Sequence, residues 1–334
     1  MKAWQIVSDR GIEALKLNEA AIRAPGPGEV RVRIRANSIN FRDLMTVKDP
    51  VPRRLPYPRI PNSCGAGEVT AVGPGVTGLK AGDRVASCFF QRWTDGPCSA
   101  EAMASALGGA VDGVLAEEVV LGAEGVVPVP AHHSFAEAAT LPCAALTAWN
   151  AIVETGRVKA GDWVLLLGTG GVSIFALQFA HMMGARTIIT SSSDDKLEKA
   201  RALGATATVN YRRHPAWEDA VLEATKGEGV DLAVEVGGAG TLPRSIAATR
   251  IAGTIALIGV LQGGQIDPAQ FMRRSIRMQG IYVGSRRMFL DMNRAIEAHK
   301  LRPVIDSTFA FDQAREAYRH MEGAGHMGKI AIEV

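Results

Sequence analysis

The chain has 334 residues, 47% of them hydrophobic, which is enough to build two domains of ordinary size. Its 37 basic and 34 acidic residues give a formal net charge of +3 and are spread along the whole sequence, so neither nucleic acid nor a membrane surface is an expected partner. Four scattered cysteines argue against a disulfide framework, and no secretory signal or membrane span is visible, so we expect a cytoplasmic protein.

The first part of the chain has the pattern of a mainly-β domain. From Glu29 onward, Val30, Val32 and Ile34 alternate with arginines, and this period of two predicts a half-buried antiparallel strand. Residues 65–86 consist of short β-rich pieces separated by glycine-containing turns. We therefore predict a mainly-β domain over residues 1–125.

The pattern changes after Asp162, where continuous apolar runs alternate with helical segments. Such runs are typical of strands that are buried on both faces of a parallel sheet. The sequence therefore predicts an α/β domain over residues 126–285, built on a doubly wound parallel sheet. The six predicted strands cover residues 164–167, 187–190, 207–211, 232–236, 254–260 and 276–283.

The end of the chain returns to a different pattern. A helix is predicted from Arg286 to His299, followed by a strand over residues 304–311 and by a second helix with Asp312 as its N-cap. The closing residues 329–334 again alternate with a period of two. We expect residues 286–334 to fold back and complete the first domain.

A glycine-rich turn joins the first strand of the α/β domain to a helix. Bare backbone amides at such a turn can approach a pyrophosphate closely, and the helix dipole favours its negative charge. The third glycine of the usual G-x-G-x-x-G pattern is replaced by Ser173, and the pattern alone can mark a purely structural turn. Its place between a buried strand and a helix predicts a dinucleotide site, whose candidate contacts are Gly168, Thr169, Gly170, Gly171 and Val172.

The end of the second strand indicates which dinucleotide is bound. Sites that prefer NAD place an Asp or Glu there, where it binds the ribose hydroxyls. This chain has Ser191, Ser192 and Ser193 instead, followed by Lys196, so a 2′-phosphate is not repelled and NADPH is favoured. The alternative is that the serines only cap the next helix. Tyr211, at the end of the third strand, is either a contact for the adenine end or an ordinary solvent-facing aromatic.

Further motifs lie along the chain, namely NFRD at 40–43, GAGEV at 65–69, GDRV at 82–85, ATLPCAALTAW at 139–149 and GKI at 328–330. With these motifs and the glycine-rich turn, the chain resembles the zinc-free, quinone oxidoreductase-like members of the medium-chain dehydrogenase/reductase superfamily. The resemblance implies a GroES-like mainly-β catalytic domain beside the Rossmann domain, and a homodimer.

The zinc-dependent relatives hold their catalytic metal with cysteine, histidine and cysteine at positions that match Asn40, Ser63 and Cys143. Only one of these three is a zinc ligand, and a catalytic zinc site needs at least three protein ligands. We therefore predict that no metal is bound. Cys143 is then interpreted as a small buried residue and not as a nucleophile, because no histidine is near it in the sequence.

The resemblance also assigns roles to individual residues. It implies that Thr147 lies against the nicotinamide, that Gly237 and Val260 flank the cofactor, and that Ser192, Lys196, Tyr211 and Lys329 hold the 2′-phosphate. One departure weakens the implied polar substrate contacts, because family members often have an aspartate in the segment that reads Asn62-Ser63-Cys64 here.

The resulting hypothesis is an NADPH-dependent oxidoreductase that transfers hydride to a quinone or an α,β-unsaturated carbonyl. Without zinc, a hydrogen-bond donor must stabilise the charge on the substrate oxygen, and Asn40 is the candidate. Asn40 can equally satisfy backbone groups in a strand-to-helix turn. Arg42 and Asp43 are predicted to form an ion pair near the cleft. The alternatives are an NADP-dependent alcohol or aldehyde dehydrogenase and a non-catalytic NADPH-binding protein.

Overall fold

The computed structural model describes residues 1–259, 261 and 263–334, and it divides into two compact units. The first unit is Met1–Leu146 with Gly284–Val334, and the second is Thr147–Val283. The predicted boundary at residue 125 is therefore too early. The physical reason is a short strand, Val126–Pro128, which pairs antiparallel with Arg84–Ser87 and so keeps the chain in the sheet of the first unit.

The strands are numbered in chain order. They are β1 (Lys2–Ile6), β2 (Leu15–Glu19), β3 (Glu29–Ile39), β4 (Cys64–Val72), β5 (Arg84–Ser87), β6 (Glu118–Gly122), β7 (Val126–Pro128), β8 (Trp163–Leu166), β9 (Arg186–Ser191), β10 (Ala207–Asn210), β11 (Val230–Glu235), β12 (Thr249–Leu257), β13 (Arg277–Gly280), β14 (Ile305–Ala310) and β15 (Lys329–Glu333).

The α-helices are numbered in the same way. They are α1 (Phe41–Lys48), α2 (Ala100–Met103), α3 (Phe135–Ala139), α4 (Leu146–Trp149), α5 (Gly171–Met182), α6 (Asp194–Ala202), α7 (Trp217–Ala224), α8 (Leu242–Ala248), α9 (Ala269–Arg274), α10 (Arg286–His299) and α11 (Ala314–Glu322). Two π-helical segments, Leu141–Ala145 and Asn150–Thr155, flank α4, and short 3₁₀ turns cover Gly11–Ala14, Ala123–Gly125 and Phe311–Gln313. No helix in the described part of the chain has both the length and the apolar composition needed to cross a membrane.

The first unit is built on a sheet with the strand order β14-β15-β3-β4-β5-β7, and β6 pairs with β3 as well. The long strand β3 is antiparallel to β4, β6 and β15. Its alternation is the predicted one, because Val30, Val32 and Ile34 are buried in the core while the arginines between them face outward. The period of two in the sequence thus produces one buried and one polar face of the sheet.

The end of the chain completes this sheet, as predicted. β15 lies between β14, to which it is parallel, and β3, to which it is antiparallel. The predicted N-cap is wrong by one position, because Asp312 lies inside a 3₁₀ turn and α11 follows Gln313. Tyr318 and Met321 of α11 pack into a core with Ile39 and Leu44.

The carboxylate of Asp306 in β14 accepts hydrogen bonds from three groups near the end of the chain. Burial alone would raise its pKa, but hydrogen bonds from Ser307 Oγ (2.6 Å), His320 Nε2 (2.9 Å) and Met327 N (2.9 Å) lower it to about 2. A carboxyl whose pKa is lower in the folded state than its usual value of about 3.9 stabilises the fold above that value. The stabilisation is lost as the pH falls from about 4 to about 2.

We therefore expect Asp306→Asn to lower the free energy of unfolding at pH 7 by on the order of 1 kcal/mol. The variant should also lose less of its remaining stability than the wild type between pH 4 and pH 2. Urea denaturation across that pH range measures both effects, with Asp312→Asn as the control because Asp312 is exposed. Parallel pH profiles for Asp306→Asn and the wild type would contradict the prediction.

The second unit contains one sheet of six parallel strands in the order β10-β9-β8-β11-β12-β13. Numbered from β8, this is the order 3-2-1-4-5-6 of a doubly wound dinucleotide-binding fold, as predicted. One expectation is wrong. All four residues of β13 are exposed, because it forms an edge of the sheet within the described residues and does not lie between two covered faces.

Candidate active site

The glycine-rich turn follows β8 at the carboxyl end of the sheet. Gly168 has a φ of +70°, and Gly170 is the N-cap of α5. A Cβ added at either glycine would meet no heavy atom within 4 Å, so the space over the turn is open. This is a surface that a pyrophosphate can approach closely and that side chains would close.

Ser173 shows why the third glycine of the pattern is not needed here. It is only 1% exposed, and its hydroxyl donates to the carbonyl oxygen of Leu167 at 2.7 Å. The side chain thus turns into the end of β8 and leaves the outer surface of the turn free. Thr190, which the sequence analysis did not single out, fixes the turn from the neighbouring strand, because its Oγ1 accepts from Gly168 N at 3.1 Å.

Of the three serines at the end of β9, Ser193 acts as a helix cap. Ser193 caps α6, since its Oγ accepts from Lys196 N at 3.4 Å. Ser191 closes β9 with 4% of its surface exposed, and its Oγ accepts from Ser193 N at 3.3 Å. Ser192 between them is partly exposed. Capping therefore involves Ser193, while Ser191 takes the last position of β9.

Tyr211 lies beside this strand end. It follows β10, the parallel neighbour of β9, and its backbone N donates to Ser191 O at 3.1 Å. Its side chain is 42% exposed. The two strands lie side by side, so Tyr211 is close to the end of β9, and its ring is exposed to solvent.

A buried glutamate organises the loop after β11, and sequence reasoning missed it. Glu235 is fully buried, and its Oε1 accepts from Gly237 N (2.7 Å), Gly238 N (3.1 Å) and Thr241 Oγ1 (2.6 Å), while Oε2 accepts from Ser245 Oγ (2.5 Å). Four donors can stabilise a charged carboxylate away from water. An acidic residue at the end of an apolar strand run is the signal that could have found it.

The remaining cofactor candidates in the second unit have the following places. Gly237 allows no side chain, because a Cβ there would clash with Thr241. Thr147 is buried, with 3% of its surface exposed, in α4 between the two π-helical segments. Val260 lies outside the described residues.

In the first unit, Asn40 lies at the centre of a buried polar cluster between β3 and α1. Its Nδ2 donates to Asp43 Oδ2 at 3.1 Å and to Cys64 Sγ at 3.0 Å, and its Oδ1 accepts from Lys329 Nζ at 2.6 Å. The amide orientation is fixed by charge, because the opposite one would set the amide oxygen against a carboxylate and the amide hydrogens against an ammonium group.

Asp43 connects this cluster to Arg42. It is fully buried, and it accepts from Asn40 N at 2.9 Å and from Arg42 Nη1 at 3.2 Å. The predicted ion pair between Arg42 and Asp43 is present. Arg42 Nη1 also donates to Leu107 O at 2.7 Å, and the guanidinium lies over the Phe89 ring. The carboxylate of Asp43 is thus held by several donors, as a buried charge requires.

The expected role of Lys329 is wrong. The resemblance assigned it to a 2′-phosphate, but only 3% of the residue is exposed, and its ammonium donates to Ile39 O and to Asn40 Oδ1, both at 2.6 Å. Burial lowers the pKa of Lys329 below the usual lysine value, although the neighbouring cysteines and Asp43 oppose this change. Lys329 is therefore a member of the Asn40 cluster.

Two thiols adjoin the same cluster. Burial would raise the pKa of Cys64, but a hydrogen bond with Cys143 and the charge of Lys329 lower it. The pKa of Cys143 is raised, first by that hydrogen bond and then by burial. Cys143 is partly exposed, whereas it was expected to be buried.

These residues do not fit a catalytic zinc ion. Among the described residues, no group of three or more His, Cys, Asp or Glu side chains is placed to hold a metal. In addition, the ammonium of Lys329 lies 2.6 Å from Asn40 Oδ1, at one of the three positions that supply ligands in the zinc-dependent relatives. A second cation at this point would be repelled by the first.

Two family models match the chain. The family model described as the alcohol dehydrogenase GroES-like domain matches residues 26–131, and the one described as zinc-binding dehydrogenase matches residues 171–298. A curated relative from Schizosaccharomyces pombe, the zinc-type alcohol dehydrogenase-like protein C1773.06c, is 44% identical over 97% of this chain and 96% of its own length. A 2-methylene-furan-3-one reductase from Solanum lycopersicum is 29% identical over 97% of this chain and 79% of its own length.

Several solved structures are also similar to this chain in fold and sequence. A putative alcohol dehydrogenase from Sinorhizobium meliloti 1021 is 40% identical with a TM-score of 0.92, covering 100% of this chain and 98% of that one. A structure described as an NAD-dependent alcohol dehydrogenase is 35% identical, with a TM-score of 0.92 and full coverage of both chains. A mycobacterial protein solved in complex with NADPH is 26% identical with a TM-score of 0.84, covering 100% of this chain and 99% of that one.

Proposed function

Because this chain belongs to the medium-chain dehydrogenase/reductase superfamily and is an oxidoreductase, we propose that it reduces quinones or α,β-unsaturated carbonyls with NADPH and without zinc. The observation that carries the proposal is that Asn40, at a position matched to a zinc ligand of the relatives, binds the ammonium of Lys329 through its Oδ1. The relative named as a 2-methylene-furan-3-one reductase supports this class of substrate.

The proposed role of Asn40 follows from the hydrogen bonds of its amide. One Nδ2 hydrogen is held by Asp43, and the other is directed at Cys64 Sγ, with Ser63 Oγ at 3.5 Å as a longer second acceptor. Sulfur is a weak acceptor, so a carbonyl oxygen of the substrate can replace Cys64 as the partner of Asn40. The ammonium of Lys329 on Oδ1 polarises the amide and strengthens it as a donor.

The two residues together can stabilise the negative charge that develops on the substrate oxygen. NADPH, when bound, supplies the hydride. Lys329 contributes a positive charge that needs no reorganisation, because the ammonium is already fixed by Ile39 O and Asn40 Oδ1. Asp43 keeps the amide of Asn40 aligned and balances the charge of Lys329.

The choice of NADPH rests on the end of β9. Ser191 stands where a carboxylate would contact the ribose of NADH, and Ser192 and Lys196 follow it. The NADPH complex of the mycobacterial structure supports the proposal, whereas the NAD-dependent enzyme of similar fold is the competing case. The two cofactors are therefore to be compared directly.

We expect Ser191→Asp to reverse this preference, lowering the ratio of kcat/KM for NADPH to that for NADH by about tenfold or more through repulsion of the 2′-phosphate. Steady-state kinetics with both cofactors measure the ratio. Ser191→Ala is the matched control, because it removes the hydroxyl without adding charge. A wild type that prefers NADH, or a Ser191→Asp variant that keeps the wild-type ratio, would show that this strand end does not select the cofactor.

The substrate class is tested by following NADPH oxidation against a panel of quinones, enones, aldehydes and ketones, with alcohols and NADP⁺ for the reverse direction. Turnover confined to quinones or enones is the expected result. Turnover of alcohols or aldehydes alone would establish the competing alcohol dehydrogenase activity, which the names of several relatives favour. Tight NADPH binding without turnover of any member of the panel would indicate a non-catalytic protein.

A further inference from the structure

The second unit contains a basic cavity at the amino ends of its parallel strands. Its volume is about 250 Å³, and four cationic side chains line it, from Arg157, Lys159, Arg250 and Arg277. The cofactor turn follows the carboxyl end of β8, whereas this cavity lies near Asp162, where β8 is about to begin. A strand of four residues separates the two regions by roughly 13 Å, so the cavity is not part of the dinucleotide site.

Two carboxylates also line the cavity, and each of them accepts a hydrogen bond from the protein. Asp231 accepts from Trp163 N at 2.8 Å and from Arg250 Nε at 2.6 Å. Asp162 accepts from the backbone N of Lys159 at 2.8 Å. The lining therefore has two more cationic than anionic side chains. Hydrogen bonds from protein donors hold both carboxylates in place.

Two of the four cations have no partner in the described part of the chain. The side chains of Arg157 and Lys159 make neither a hydrogen bond nor an ion pair there, and both are exposed. Arg277, by contrast, donates to Thr254 Oγ1 at 3.1 Å. Arg157 has a φ of +48°, in the left-handed region of the backbone.

We propose that this cavity binds the phosphate group of a small phosphorylated molecule. A guanidinium matches two phosphate oxygens with parallel N–H donors, and Arg157 and Lys159 together offer donors that no protein acceptor uses. Phosphate fills only part of about 250 Å³, so the cavity has room for an organic group as well. The site is independent of the proposed reaction, because none of its residues lies in the glycine-rich turn or in the Asn40 cluster.

The test uses inorganic phosphate as the probe and the full-length protein. Binding is measured by isothermal titration calorimetry at constant ionic strength in chloride. The double variant Arg157→Asn with Lys159→Gln removes both free cations, and asparagine suits the left-handed backbone at position 157. Lys300→Asn is the matched control, because Lys300 is also an exposed cation with a left-handed φ, of +53°, and belongs to the first unit.

We expect one phosphate to bind per wild-type chain, the double variant to bind it at least tenfold more weakly, and Lys300→Asn to stay within twofold of the wild type. The proposal is overturned if the wild type shows no saturable binding. It is also overturned if the double variant binds as well as the wild type, which would place the phosphate elsewhere, including at the cofactor turn. An equal loss of phosphate affinity in Lys300→Asn would also overturn the proposal, because it would show that net charge, and not this cavity, determines the binding.

Discussion

Replacing Gly170 by alanine is expected to weaken NADPH binding by at least about tenfold while the protein stays folded. Gly170 has an ordinary φ of −75°, and an added Cβ would meet no protein atom within 4 Å. The substitution therefore strains nothing in the second unit, and as an N-cap change it should cost about 1 kcal/mol of stability or less. The new methyl group instead occupies the open space over the turn, where a pyrophosphate would lie.

The measurement is a titration of NADPH fluorescence against the wild type and the variant. Gly325→Ala is the control, because Gly325 also has no heavy atom within 4 Å of an added Cβ and lies in the first unit. Gly168→Ala is less informative, since its φ of +70° would add backbone strain to any effect on the cofactor. Equal NADPH affinity in Gly170→Ala and the wild type would mean that the turn does not face the cofactor.

Replacing Asp43 by alanine is expected to cost about 3–5 kcal/mol of the free energy of unfolding, a loss typical of breaking a buried ion pair. Asp43 is fully buried and accepts hydrogen bonds from Asn40 and Arg42. Its negative charge also favours the charged form of the buried Lys329. Without it, one ammonium group and one guanidinium lose the carboxylate that balances them.

Urea denaturation gives the size of this loss. Asp49→Ala is the matched control, because Asp49 is exposed just after the same helix and should change stability by no more than about 0.5 kcal/mol. In the double variant with Lys329→Met, the loss should be smaller than the sum of the two single losses, because the unbalanced ammonium is gone. A loss below about 1 kcal/mol for Asp43→Ala would contradict a buried charge network.

The second unit was the easier one to predict from the sequence. Its sheet is parallel, so its inner strands, such as β8, are mainly apolar, and the glycine-rich turn marks the end of the first strand. The edge strand β13 has the polar sequence RMQG, and a strand prediction over residues 276–283 does not show that these four residues have a neighbouring strand on one side only. The boundary at residue 146 was missed because β7 has only three residues and ends in a proline.

The candidate site in the first unit was predicted only in part. Asn40, Arg42 and Asp43 lie together in the sequence, so their proximity was expected. Lys329 joins them because β15 pairs with β3 and brings residue 330 opposite residue 39, a contact that spans almost the whole chain. Local sequence patterns contain no information on that register, and the family resemblance therefore gave Lys329 a different role.

We propose that Lys329 and Asn40, and not a zinc ion, support hydride transfer in this protein. The most direct measurement is the metal content of the purified enzyme by mass spectrometry, combined with NADPH-dependent enone turnover before and after treatment with a chelator. We expect far less than one zinc per chain and the same turnover after chelation. Zinc near one per chain, with activity lost to the chelator and restored by added zinc, would contradict it.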